Sequence, residues 1–217
     1  MDFSFFQTSI PKLKEIILPG IKAQLKMASS KRNILLQMKN KSHLKPNKAS
    51  VLICIYQNTD GKACFALMER ADDNGVHSGQ ICLPGGKTEK LDESSWSTAV
   101  RETEEEIGIN KSDLRFVKEL SSIYIPPSNF IVYPYIATYI KTPLFIIDKN
   151  EVKKVFNVSL EALLSEKSII EIDIHNHYMD EKEIPAYSFN GNIVWGATAM
   201  ILSEFKFLLK RITINKL

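Results

Sequence analysis

Residues 51–57 read VLICIYQ, an apolar run of strand length. The polar cluster Asn58-Thr59-Asp60-Gly61 follows, and residues 62–69 run back as a second strand, so the two predict a hairpin. A short strand is expected at 80–83, with Pro84-Gly85-Gly86 breaking the chain sharply after it. Residues 93–107 then change period: Trp96, Ala99, Val100, Thr103 and Ile107 fall on one side of a helix. Asp92 is the candidate N-cap and Gly108 the natural terminator. Further strands are expected at 114–124 and 130–140, separated by Pro126-Pro127, and near 168–174 and 184–195. A short helix is expected at 160–164 and an amphipathic one over 197–209. Upstream, Phe5, Phe6, Ile10, Leu13, Ile16 and Ile17 lie roughly at helical spacing, and Pro19-Gly20 ends that helix. Residues 21–27 suggest one more helical turn, and 39–50 a basic loop. The pattern divides the chain into an N-terminal extension, 1–48, and a core domain, 49–212. Strands with a few interspersed helices, not in regular alternation, favour an α/β class with a mixed sheet packed between helices.

Composition narrows this little. The 217 residues suffice for one well-buried domain. A net charge of +3, from 28 basic and 25 acidic residues, calls for no nucleic-acid partner. No window approaches about 18 uninterrupted apolar residues, so no membrane span is expected. Asp2, Lys12, Lys14 and Glu15 interrupt any signal-peptide pattern. Cys54, Cys64 and Cys82 are odd in number, widely spaced and set in apolar stretches, which points to buried thiols in a reducing, cytoplasmic compartment. The terminal Asn215-Lys216-Leu217 is near a peroxisomal address, a likeness that three residues give by chance.

The chemistry concentrates in GGKTEKLDESSWSTAVRETEEEIGI, residues 85–109. Glu102 and Glu106 are four apart and stack on one helix face, and Glu105 lies beside them. With the apolar side packed on a core, the helix is expected to present these carboxylates outward together. Like charges at this spacing cost about 0.2–0.5 kcal/mol per pair, and the helix C-terminus further disfavours anions. A divalent cation relieves both penalties, and carboxylate oxygens without histidine or cysteine suit Mg²⁺ or Mn²⁺. The bare backbone at Gly85 and Gly86 lets a substrate or a metal approach a carbonyl. Arg101, four residues before Glu105, can hold that carboxylate in place.

This segment resembles the Nudix box, G-x5-E-x7-R-E-U-x-E-E-x-G-U with U bulky and apolar. Arg101, Glu102, Glu105, Glu106, Gly108 and Ile109 match its second half, with Thr103 at the first apolar position. From Gly86 to Arg101 the spacing is one residue longer than the general box, so either Asp92 or Glu93 fills the acidic position. The Nudix subgroup resembling coenzyme A diphosphatases has the same extra residue. Upstream, Arg70, His77, Gly79, Pro84, Gly85 and Gly86 are similar to that subgroup's arginine and H-x-G-x-x-x-F-P-G-G signature, with Leu83 for the usual Phe and Asn74-Gly75 where many members have Leu-Arg. Residues 129–135 and 193–199 also look like the subgroup.

The resemblance implies an α/β/α sandwich with the box as loop-helix-loop, and cleavage of coenzyme A to 3′,5′-ADP and 4′-phosphopantetheine. It implies Glu102, Glu106, Glu105 and the Gly86 carbonyl as ligands of Mg²⁺ or Mn²⁺. Glu105, Arg101 and Glu102 are the candidate catalytic residues, with the choice of general base open. Arg70, His77 and Gly85 are candidates for substrate contact, although Arg70 and His77 read equally well as structural. Trp96 and Trp195 read as core aromatics. The partner is a small-molecule substrate, free or acylated coenzyme A or another nucleoside diphosphate derivative such as ADP-ribose or a dinucleotide. A Nudix-fold ligand-binding regulator without turnover is the reading from a different class. The N-terminal extension offers a contact for a homodimer.

Overall fold

A computed structural model describes residues 1–30, 45–71, 79–176 and 179–214. Its strands are β1 (Asn47–Gln57), β2 (Ala63–Arg70), β3 (Ile81–Cys82), β4 (Gly85–Lys87), β5 (Leu114–Glu119), β6 (Ile123–Ile125), β7 (Phe130–Tyr139), β8 (Val152–Ser159), β9 (Ile169–Asn176), β10 (Met179–Phe189) and β11 (Asn192–Val194). Its helices are α1 (Phe3–Glu15), α2 (Ile21–Gln24), α3 (Ser95–Ile107), α4 (Leu160–Leu164) and α5 (Gly196–Thr213).

The main sheet runs β3-β2-β1-β7-β5, with β4 on β1, β6 on β7 and β8 on β2; β9, β10 and β11 form a separate antiparallel sheet. β1 pairs in parallel with β7 and antiparallel with β2 and β4, so the sheet is mixed. Side chains of β1 alternate between two cores. Leu52, Cys54 and Tyr56 join Ala99, Val100 and Ile107 of α3. Ile53 and Ile55 join Phe3, Phe6 and Leu13 of α1 and Leu202 and Phe205 of α5. Helices therefore cover both faces, the α/β/α arrangement. The N-terminal helix shares the second core and does not stand apart from the sheet. No helix among the described residues is long and apolar enough to cross a membrane.

Several sequence expectations are corrected. β1 begins at Asn47, inside the expected loop, because parallel pairing with β7 already starts at Asn47 and Phe130. The expected break after residue 83 is a strand instead: Gly85, Gly86 and Lys87 pair with Val51, Ser50 and Ala49. That pairing is tight enough that a Cβ on Gly85 would lie 2.2 Å from the Ser50 carbonyl oxygen, and its φ of 142° also requires glycine. The strand expected at 184–195 is two strands about an Asn190-Gly191 turn. The helix over 196–213 is buried nearly all round, Ser203, Glu204 and Lys206 included, because α1 and α2 cover the side expected to face water. β8 was not anticipated at all.

Candidate active site

α3 starts at Ser94, not at Asp92. The Ser94 hydroxyl accepts from the Ser97 N–H (3.1 Å) and Ser97 Oγ accepts from the Ser94 N–H (2.8 Å), a capping box made of two serines. Asp92 is released for another task. Its carboxylate accepts from Arg101 Nε (2.9 Å) and Nη2 (3.0 Å), from the Thr98 hydroxyl (2.9 Å) and from the Glu89 N–H (2.8 Å). Of the two acidic candidates, Asp92 is thus the one facing Arg101, held in a turn with Glu89. Arg101 also donates to Glu105 (2.8 Å), Glu102 (2.9 Å) and the Lys87 carbonyl (3.2 Å). The Arg101 guanidinium holds the Asp92 carboxyl well below the usual carboxylate range, and Asp92 in turn raises Arg101 further. Arg101 is a clamp on three carboxylates.

The expectation of outward-facing carboxylates is corrected for Glu106, which is only 2% exposed. It turns inward because β4 lies against α3, and its Oε2 accepts the Gly85 N–H at 2.7 Å. Glu102 is mostly buried over Gly86, where a Cβ would stand 2.5 Å from a Glu102 carboxylate oxygen. The two box glycines are therefore matched to different neighbours: Gly85 to the β1 backbone and Gly86 to a carboxylate. Glu105 alone points to solvent, 59% exposed and tied to Arg101.

A third carboxylate completes the group. Oxygens of Glu102, Glu106 and Glu151 lie within 4.8 Å of one another. Glu151 arrives from the turn before β8, and the segment motif carries no signal for it. Its chain position 45 residues beyond Glu106 hides it, as does the missed strand that follows. Burial, followed by the Glu102 and Glu151 charges, pushes the Glu106 carboxyl up to about 8, against the Gly85 N–H and Arg70, which pull it down. Burial also raises Glu102, against the pull of Arg101. The cation facing Glu106 is Arg70, whose Nη1 is 3.9 Å from its Oε1. Arg70 also meets the thiol of Cys82, which burial pushes up to about 12. His77 and Asn74-Gly75 lie outside the described residues. Trp96 packs edge-on to Phe116 and Tyr135.

These residues fit a hard divalent cation: three converging carboxylates, one deeply buried and short of donors, with no histidine or thiolate among them. Glu102, Glu106 and Glu151 would hold it.

The comparisons agree with this frame. The family model described as the NUDIX domain matches residues 46–177. "Nudix hydrolase 15, mitochondrial" of Arabidopsis thaliana is 33% identical over 171 residues, 76% of this chain and 59% of that protein. The chain thus spans little more than half of that plant relative. "Uncharacterized Nudix hydrolase NudL" of Yersinia pestis (strain Pestoides F) is 30% identical over 155 residues, 71% of this chain and 76% of that protein. The crystal structure of a MutT/nudix family protein from Enterococcus faecalis shares the fold, with a TM-score of 0.53 at 16% identity over 90% of this chain and 76% of that one. By the extent of the domain match and the identity to these relatives, the chain belongs to the Nudix family.

Proposed function

We propose that the chain hydrolyses a diphosphate linkage with Mg²⁺ or Mn²⁺, acting on coenzyme A or an acyl-CoA to give 3′,5′-ADP and the 4′-phosphopantetheine. The observation that carries the chemistry is the convergence of Glu102, Glu106 and Glu151, with Arg70 alongside. Glu102, Glu106 and Glu151 would hold a divalent ion there, which would supply charge stabilisation for the phosphate and a lowered pKa for water.

The chain's own residues divide the remaining work. Glu106 and Glu102 are pinned by the Gly85 N–H and by Arg101, so their oxygens are positioned before any ligand arrives. Arg101 is saturated by carboxylates and orients them; it does not touch substrate. Arg70 is half-buried with donors to spare, and offsets the charge of the diphosphate. Glu105 is exposed and outside the metal-holding group, which leaves it to take a proton from the attacking water. Gly85 and Gly86 lack side chains that would strike the β1 backbone and the Glu102 carboxylate, so β4 can lie close to the metal-holding group. The coenzyme A assignment is supported by the longer box spacing and by the run from Arg70 to Gly86. A cytoplasmic enzyme is the setting proposed, and a second copy would meet the N-terminal extension, where Ile17 and Ile21 are exposed.

The test is to incubate the protein with coenzyme A at mildly alkaline pH with Mg²⁺, Mn²⁺ or EDTA and to identify products by mass. The proposal expects 3′,5′-ADP and phosphopantetheine only with metal, and loss of most of the rate in Glu106→Gln. Survival of coenzyme A with cleavage of ADP-ribose or a dinucleotide would overturn the substrate and keep the chemistry. No cleavage of any diphosphate would leave a Nudix-fold ligand-binding protein.

A further inference from the structure

Glu151 reaches the carboxylate group along a short strap, residues 144–151, that crosses the C-terminal end of α3. Two hydrogen bonds fasten the strap there. The Ile146 N–H donates to the Ile107 carbonyl (3.1 Å) and the Asp148 N–H to the Glu106 carbonyl (3.0 Å). Both acceptors belong to the last helical turn, whose carbonyls have no partner within the helix. Strap side chains alternate: Phe145 and Ile147 pack on the core beside Tyr56, while Leu144 and Ile146 are exposed. A slip of one residue would expose the first pair and bury the second.

Gly108 stands where strap and helix cross. A Cβ there would lie 2.8 Å from Ile146 Cβ, 2.9 Å from its carbonyl oxygen and 3.0 Å from its nitrogen. Two of these are backbone atoms and cannot yield unless the strap moves. Gly108 also adopts φ 72°, the left-handed helix cap. The two demands are separable. Gly191 has a similar φ of 82° with nothing within 4 Å of its Cβ position, so it answers only to backbone conformation.

Beyond the crossing, the strap has little slack before Glu151. Asp148 Oδ1 accepts from the Asn150 N–H and side-chain amide (both 2.9 Å), closing a tight turn. The Asp148 carbonyl accepts from the N–H groups of Glu151 (3.1 Å) and Val152 (2.8 Å). The Glu151 carbonyl then accepts from Ala71 N–H (2.9 Å). A displacement at Ile146 therefore travels to Glu151 through a turn with few free torsions.

We infer that Gly108 is a positioning residue for Glu151: its missing side chain lets the strap approach α3 closely enough to deliver that carboxylate to Glu102 and Glu106. The inference rests on the metal reading of the group. A box glycine usually read as a helix terminator here also sets the distance between two chain segments that supply one site.

The test measures Mn²⁺ affinity, by the electron paramagnetic resonance signal of free Mn²⁺, in a double-mutant cycle. Gly108→Ala and Gly108→Asn should each weaken binding about tenfold or more. Asparagine tolerates the left-handed conformation but still carries a Cβ, so it separates crowding from strain. Glu151→Gln should weaken binding to a similar degree, and adding Gly108→Ala to it should cost less than about twofold more. Asp148→Ala opens the turn without crowding the helix and should give the same non-additive pattern, which covers the case of a poorly folding Gly108 variant. Gly191→Ala should leave the affinity unchanged. Full multiplication of the Gly108 and Glu151 effects, or wild-type affinity in both Gly108 variants, would overturn the inference while sparing the metal reading. A wild-type protein that binds no Mn²⁺ would overturn both.

Discussion

Glu106 and Glu204 are both withdrawn from water, at 2% and 0% exposure, yet their surroundings are opposite. Glu204, on α5, accepts from the Gly20 N–H (2.9 Å), the Ser121 N–H (3.0 Å), the Ser121 hydroxyl (2.7 Å) and the Gln24 side-chain amide (3.4 Å). Four neutral donors from two segments surround one carboxylate, tying the N-terminal extension and the β5–β6 link to α5. Glu106 has one N–H, a guanidinium at 3.9 Å and two further carboxylates. Burying a charge without full pairing is costly, so the two cases differ in what the fold has left undone. Glu204 is complete in the chain alone and serves architecture. Glu106 is left wanting positive charge, the condition of a group prepared for a ligand.

Exchanging the charge at each position should separate the two roles. Glu106→Gln should lower metal-dependent turnover by at least about a hundredfold, as expected when a ligand itself is lost and not merely its support. Steady-state rates on coenzyme A at saturating Mg²⁺ would show it. In EDTA at pH 8 the same variant should melt at a higher temperature than the wild type. A variant that melted lower would mean Glu106 is as well satisfied as Glu204.

Glu204→Leu should do the reverse. It strands four donors and should cost about 3 kcal/mol or more in urea unfolding, since each buried unpaired group costs about 1–3 kcal/mol. Turnover per folded molecule should be unchanged. A fall in turnover at full folding would join the two regions that the comparison keeps apart.

The third prediction concerns pH. The folded Glu106 carboxyl titrates at about 8 against an ordinary 4.5, so between these values the folded chain keeps a proton that the unfolded chain has lost. Its contribution to stability is whole below about 4.5 and is lost as pH rises towards 8. Asp92 acts in the other direction: Arg101 lowers it, so its contribution is present above its ordinary value of 3.8 and disappears in acid. Melting temperatures in EDTA should therefore fall from pH 5 to pH 8, and Glu106→Gln or added Mg²⁺ should flatten that slope. An unchanged slope in Glu106→Gln would assign it to other groups. The smallest effect is at Ser121→Ala, which removes one of four donors to Glu204 and should cost about 1 kcal/mol in urea unfolding, with Mn²⁺ affinity unaltered.

What could be read in advance follows the range of the interactions. The register of Glu102, Glu105 and Glu106, the hairpin of β1 and β2 and the short helix at 160–164 depend on neighbours a few residues apart, and periodicity and turn residues reveal such neighbours. The burial of Glu106 depends on β4, whose glycines read as a break because nothing local says that β1 lies against them. β8 escaped because Lys153 and Lys154 interrupt its alternation; pairing with β2 decides it. Glu151 escaped with it. Asp92 read as a helix cap because Asp favours that place, but Ser94 and Ser97 cap each other and leave Asp92 to Arg101. The donors around Glu204 lie 83 to 184 residues away, beyond any pattern in the chain.

Cys82 lies against Arg70 and Glu106 at the edge of the carboxylate group, and its thiol titrates near 12. The raised pKa disfavours the thiolate, and only the thiolate attacks a disulfide. The proposed substrate carries a sulfur of its own, and its oxidised form is a disulfide. A reactive cysteine beside such a ligand would become covalently trapped as a mixed disulfide after a single encounter. Partly buried and with its thiol pushed up, Cys82 would be a poor attacker of such a disulfide if the proposed substrate binds here.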